Sequence, residues 1–154
     1  MELSDLLAPE RVVARLQVAD QTALLAELGR RAGALCEIPA ETISAALENR
    51  ERLGSTGLGG GIALPHARLA QLEKFFGMFA RLARPIPFDA IDDQPVAFVF
   101  LLLSPMAADA EHLAALAAIS RQMCAPDVVR RLGAARSAAE LYDVLVASEG
   151  TRAA

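Results

Sequence analysis

The stretch Val96-Ala97-Phe98-Val99-Phe100-Leu101-Leu102-Leu103 contains no polar residue. A strand exposed on one face alternates apolar with polar positions. An unbroken apolar run of this length, stopped by Ser104-Pro105, reads as a central strand covered on both faces. Such a strand requires neighbours in a sheet and helices on either side. The run is also the longest strongly apolar stretch of the chain, and it is far shorter than the roughly 20 residues of a membrane span.

The remaining segments supply those layers. Arg11 to Leu16, with Val12 and Val13, reads as a short strand. A helix is expected from Asp20, whose carboxylate suits an N-cap, with Leu24, Leu25, Leu28, Ala32 and Leu35 at helical spacing. Pro39 opens a second helix with the stripe Ile43, Ala46 and Leu47, ended by Gly54. Five of the ten glycines fall between Gly54 and Gly61. Ile62-Ala63-Leu64 is a short strand stopped by Pro65. Phe75 to Leu82 is a longer one, broken by Pro85-Ile86-Pro87, and residues 89–95 form a turn. A helix over Asp109 to Cys124 carries Leu113, Leu116, Ala117 and Met123. A short helix follows from Pro126 to near Gly133. Ser137-Ala138-Ala139-Glu140 has the form of a capping box and opens the last helix. The order predicts one α/β domain over residues 1–149, a three-layer α/β/α sandwich with a small mixed sheet, and a frayed tail at 150–154.

Composition narrows the function. The net charge of -4 and pI of about 5.2 argue against nucleic acid and against an anionic bilayer as partners, both of which call for basic patches. At most a peripheral relation to a membrane is expected. Met1 to Asp5 lacks the pattern of a signal peptide. Cys36 and Cys124 form neither a Cys-x-x-Cys pair nor a zinc spacing, and they read as buried thiols of a cytoplasmic protein.

Chemistry concentrates around the two histidines. His66 directly follows Pro65 and the glycine-rich segment. Proline restrains the chain entering the site, and glycines let backbone amides approach an anion closely. Neutral imidazole is a nucleophile near neutral pH, and its phosphorylated form is a good leaving group. By spacing alone the alternative is a turn histidine without a role. Arg50 falls on the inward stripe with Ile43 and Leu47, at the helix end leading into the loop. A guanidinium there suits phosphate oxygens, or else answers the helix dipole. Arg52 faces away. His112 lies in the first turn of its helix if Asp109 caps it, and shares a stripe with Leu116, Ile119 and Met123. It therefore points at the sheet, as an anion-site residue or as a satisfied core-edge histidine. The positive helix end should disfavour its charged form. P-loop, dinucleotide and Gly-x-Ser-x-Gly patterns are absent, no metal cluster is spelled out, and no cofactor is implied.

The segment from Glu48-Asn49-Arg50-Glu51 through Gly54-Ser55-Thr56-Gly57 to Ile62-Ala63-Leu64-Pro65-His66 resembles the active-site region of the fructose/mannitol-type IIA domains of the bacterial phosphotransferase system. It is most similar to their nitrogen-regulatory branch. Pro85-Ile86-Pro87-Phe88-Asp89 to Val96 and the stretch Ser137 to Leu145 extend the resemblance over nearly the whole chain. The resemblance implies an α/β/α fold and a cytoplasmic phosphotransferase carrier with a regulatory output in nitrogen, potassium or carbon signalling. It implies His66 as phosphoacceptor, Arg50 as phosphoryl stabiliser and His112 as the second active-site histidine. Thr56 and Gly57 would lie in the phosphate loop. It implies an HPr-like phosphocarrier as donor, with regulatory targets or a IIB component downstream. Ala67 stands where the family usually has glycine, while Arg68 keeps the expected positive charge. Three alternatives stay open: a sugar-specific IIA component passing phosphate to a separate IIB protein, a binding module that no longer takes a phosphoryl group, and a hydrolase using both histidines.

Overall fold

The structure, a computed structural model, describes the backbone of residues 1–90 and 92–153 and the side chains of 1–90 and 92–146. Ile91, within the expected 89–95 turn, lies outside the described residues. The tail expected from residue 150 falls where side chains, and at Ala154 the backbone, are likewise outside them.

The long apolar run becomes β6 (Val96–Pro105), and it is central. β5 (Phe76–Ile86) pairs antiparallel along one side, and β1 (Val12–Leu16) pairs parallel with β5. On the other side of β6 lie β3 (Ile62–Ala63) and β4 (His66–Leu69), both parallel to it, and β2 (Gly57–Gly59) pairs antiparallel with β3. The sheet of the described residues is therefore mixed, with path β1-β5-β6-β3-β2 and β4 also on β6. Side chains of β6 alternate between two cores. Val99, Leu101 and Leu103 meet α2 (Gln21–Cys36) and α3 (Ala40–Arg52). Phe98, Phe100 and Leu102 meet the short α1 (Leu3–Leu6), α4 (Asp109–Met123), α5 (Pro126–Ala134) and α6 (Ala138–Ala153). This is the expected α/β/α sandwich.

β3 and β4 are one strand with a gap. Ile62 lies opposite Phe98 and His66 opposite Leu102, the same offset on both sides of Pro65. Pro65 accepts a hydrogen bond from the Leu102 amide (3.0 Å) but has no amide to return to β6. The ladder loses one bond, and the register does not slip. His66 thus opens a strand, where the sequence suggested a strand end.

Other departures have local causes. β5 continues through Pro85-Ile86 because pairing with β6 is already irregular between Arg81 and Ile86, so the proline removes no regular ladder bond. Leu35 and Leu113 match helical spacing but are 57% and 67% exposed. The inward face of α4 runs instead through His112, Ala115, Ile119 and Met123, with Ala117 exposed. Cys36 is half-buried and Cys124 exposed, contrary to the expectation of two buried thiols. Among the described residues no helix is long and apolar enough to cross a membrane. Asp20 caps α2 as expected, accepting from the Ala23 amide (2.8 Å). Ser137 accepts from the Glu140 amide (3.1 Å).

The placement of α3 depends on two small residues of α2. A Cβ on Gly29 would lie 2.9 Å from the Ala40 carbonyl oxygen, and one on Gly33 2.5 Å from that of Ile38. Gly33→Ala gains up to about 1 kcal/mol of helix propensity, but the clash with backbone outweighs it. A net loss of about 1–3 kcal/mol is expected, read by urea denaturation, and an unchanged midpoint would contradict this account of the α2–α3 contact.

Candidate functional site

α3 ends in a cationic turn, with Arg50 and Arg52 where the negative end of the helix dipole favours them. Arg52 is exposed and donates to Asn49. Arg50, three residues past the buried Leu47, is half-buried and reaches β4. Its Nη1 donates to the Gly54 carbonyl (2.8 Å) and its Nε to His66 Nε2 (3.2 Å).

The reach is possible because β4 lies at a sheet edge. Ala67 and Leu69 pack into the core under α2 and α3, so His66 and Arg68 point to the α4 side by strand alternation. The free edge of β4 lets a guanidinium from one layer meet an imidazole on the other. His66 Nδ1 lies 2.8 Å from the Leu64 carbonyl oxygen. A carbonyl only accepts, so Nδ1 carries the proton and Nε2 keeps its lone pair. Burial pushes the His66 pKa below the ordinary imidazole value. The Leu64 carbonyl opposes that shift, the Arg50 charge adds to it, and the Glu51 carboxylate opposes it.

His112 comes from the start of α4. Asp109 does not cap that helix, because Ala108 is the cap residue and among the described residues no side-chain cap bond is made. The Asp109 carboxylate pairs with Arg68 instead. His112 is 8% exposed, and its Nδ1 lies 2.7 Å from Ser104 Oγ. The two imidazole centroids are 5.6 Å apart, with the rings tilted by 50°. Burial, then the neighbouring His66 and Arg68, lowers the His112 pKa. The direction matches the sequence expectation, and the leading cause is burial. His66, His112, Arg50, Arg68, Leu53 and Met106 line one open depression of about 440 Å³.

Thr56 and Gly57 do not line it. The Thr56 amide and hydroxyl both donate to the Glu51 carboxylate, and its carbonyl accepts from the Leu64 amide (3.0 Å). The Gly57 amide donates to Ser55 Oγ (3.0 Å), and a Cβ there would lie 3.0 Å from that of Ala90. These residues hold the segment that carries Leu64. The glycine run serves a turn. Gly59, Gly60 and Gly61 have φ of +87°, +65° and +82°, a region that favours glycine. The turn lies beyond the start of β3, about 13 Å of strand from His66. Ala67 is a buried strand residue outside the positive-φ set, so its Cβ tightens no turn.

Sequence reasoning passed over Ser104 and Glu51. Each carried a signal. Ser104 is the polar residue ending an otherwise apolar strand, and Glu51 is an acid in the last turn of a helix, where the dipole disfavours it.

The family model for the phosphoenolpyruvate-dependent sugar phosphotransferase system, EIIA 2, matches residues 5–148. The chain belongs to this family. A nitrogen regulatory protein of Bradyrhizobium diazoefficiens is 44% identical over 153 residues, covering 99% of this chain and all of the relative. The crystal structure of IIA-Ntr from Neisseria meningitidis superposes with a TM-score of 0.89 at 32% identity, over 94% of this chain and 99% of that one. The IIA of the mannitol system of Escherichia coli, solved in complex with phosphorylated IIB, shares the fold. Its TM-score is 0.74 at 19% identity, over 90% and 96% of the two chains. As a member of this IIA family, the protein is a phosphotransfer carrier component with nitrogen-regulatory homologues.

Both pKa values being lowered, the folded IIA protein binds fewer protons than the unfolded chain just below the ordinary value of about 6.5. Each histidine therefore contributes stability that is present above that value and lost as pH falls through the folded midpoint. An NMR titration should place both midpoints below 6.5. A midpoint above it for either ring would contradict the burial described.

Proposed function

We propose that His66 takes up a phosphoryl group on Nε2 from an HPr-like phosphocarrier, and that the resulting change of charge is a regulatory signal in nitrogen, potassium or carbon metabolism. The observation that carries this reading is the bond from His66 Nδ1 to the Leu64 carbonyl. It consigns the proton to one nitrogen and leaves the other as a nucleophile in an open depression, beside a guanidinium. In the transfer, the Nε2 lone pair attacks the donor's phosphorus in line. The donor's N–P bond breaks, and its electron pair stays with the donor nitrogen. The Nδ1 proton of His66 stays on the ring. Arg50 keeps donors beyond its bonds to Gly54 and to His66 Nε2 and stabilises the equatorial oxygens, with His112 on the opposite side. Such a carrier works in the cytoplasm, where its donor is found.

The nitrogen regulatory relatives favour a regulatory output. A second reading, a IIA component handing phosphate to a separate IIB protein, is favoured by the mannitol IIA solved with phosphorylated IIB. The feature that favours a binding module that takes no phosphoryl group is Ala67 in place of the family's usual glycine, whose added Cβ could tighten a turn or alter docking. The burial of that residue in β4 removes the argument that it disturbs a turn.

Intact-mass measurement after incubation with a phosphorylated HPr-like protein tests the proposal. The wild type should gain one phosphoryl group and His66→Ala none. Arg50→Ala should be slower by about 10²-fold, the usual loss for one charge-stabilising donor. Undiminished phosphorylation of His66→Ala would overturn the assignment.

A further inference from the structure

We propose that Ser104 is a positioning residue that fixes His112 in the tautomer opposite to that of His66, so that His112 presents Nε2–H to a phosphoryl group on His66. The inference rests on His66 being the phosphoacceptor.

Ser104 ends the apolar run of β6, opposite Arg68 in the register, and is completely buried. A hydroxyl in that position needs a partner, because leaving it unpaired away from water is costly. Its partner is His112 Nδ1 at 2.7 Å. Among the described residues the Ser104 hydroxyl bonds nothing else. Its burial and its single partner decide the direction of the bond. If Ser104 accepted from an Nδ1–H, its own proton would be stranded in the core. If the hydroxyl donates to the Nδ1 lone pair, nothing is stranded. A neutral imidazole with an acceptor at Nδ1 carries its proton on Nε2.

His66 is set the other way at the same ring atom. Its Nδ1 faces a carbonyl, which cannot donate, so its Nε2 is the unprotonated nitrogen and accepts from Arg50 Nε. Two rings 5.6 Å apart thus offer one nucleophile and one donor. Once Nε2 of His66 bears the phosphoryl group, its oxygens need hydrogen-bond donors. A second bare nitrogen there would repel them. Ser104 acts through His112 and does not itself touch the transferred group.

Long-range proton–nitrogen NMR spectra of the intact, unphosphorylated protein, above both titration midpoints, read the tautomers directly. His66 is expected as Nδ1–H and His112 as Nε2–H. A His112 in the Nδ1–H form overturns the inference. In phosphoryl acceptance from a phosphorylated HPr-like protein, Ser104→Ala should be slower by about five- to tenfold, the worth of one buried hydrogen bond. Ser104→Thr, which keeps the hydroxyl, should restore most of the rate. Equal rates for wild type and Ser104→Ala overturn the inference as well. If neither variant folds, the wild-type spectrum alone decides. A wild type that takes no phosphoryl group would defeat the phosphoacceptor reading, and the spectra would still assign the tautomers.

Discussion

Residues 62–69 lie along β6 in unbroken register, with Pro65 in the middle supplying a carbonyl and no amide. The rest of the candidate site depends on this pairing. It fixes which of residues 62–69 face α4 and which face α3. A slip of one position would bury His66 under α3 and turn Ala67 outward. The pairing also leaves β4 at a free edge, so a side chain from each helical layer can reach the same imidazole. Arg50 arrives from the α3 side and His112 from the α4 side. Neither helix crosses the sheet to do it.

Burial at that edge governs the electrostatics. Both imidazoles are held below their ordinary pKa mainly by desolvation. The positive charge of Arg50 acts in the same direction on His66. A charged ring could not act as a nucleophile, so the surroundings that disfavour imidazolium preserve the reactive lone pair. The two nearby carboxylates are engaged elsewhere. Glu51 receives Thr56 and Gln21, and Asp109 receives Arg68. With Glu51 and Asp109 so engaged, neither pairs with Arg50, whose remaining donors can meet an incoming anion.

The sandwich was legible in the sequence because it follows from one pattern, an apolar strand without alternation flanked by amphipathic helices. The site was legible in part. Arg50 and His112 could be placed by helical spacing, since each shares a stripe with residues that had to be buried. The glycine run was harder. Glycines permit both a phosphate cradle and a tight turn, and local sequence does not separate the two. Only the pairing with Asp92, whose carboxylate accepts from the Gly60 amide (2.9 Å), and the distance along β3 resolve it as a turn. α1 escaped notice for a different reason. Four residues cannot sustain a helix by propensity. α1 exists because Leu3 and Leu6 are buried and Arg11 ties the Leu6 and Gly77 carbonyls together. Leu113 and Ala117 misled because helical spacing is met by several faces of an alanine-rich helix.

A carrier must hold its phosphoryl group until a partner arrives, which sets a demand opposite to that on a hydrolase. Phosphohistidine is reactive toward water, and a positioned general base would speed its loss. Among the described residues no carboxylate lines the depression, and Glu51 and Asp109 are occupied by Thr56, Gln21 and Arg68. His112 cannot act as that base while Ser104 fills its Nδ1 and its Nε2 is protonated. Leu53 and Met106, both exposed, add apolar surface at the rim. On the proposal that His66 carries the phosphoryl group, the residues around it stabilise an anion without activating water. That combination suits a group stored for transfer to another protein better than one released to solvent.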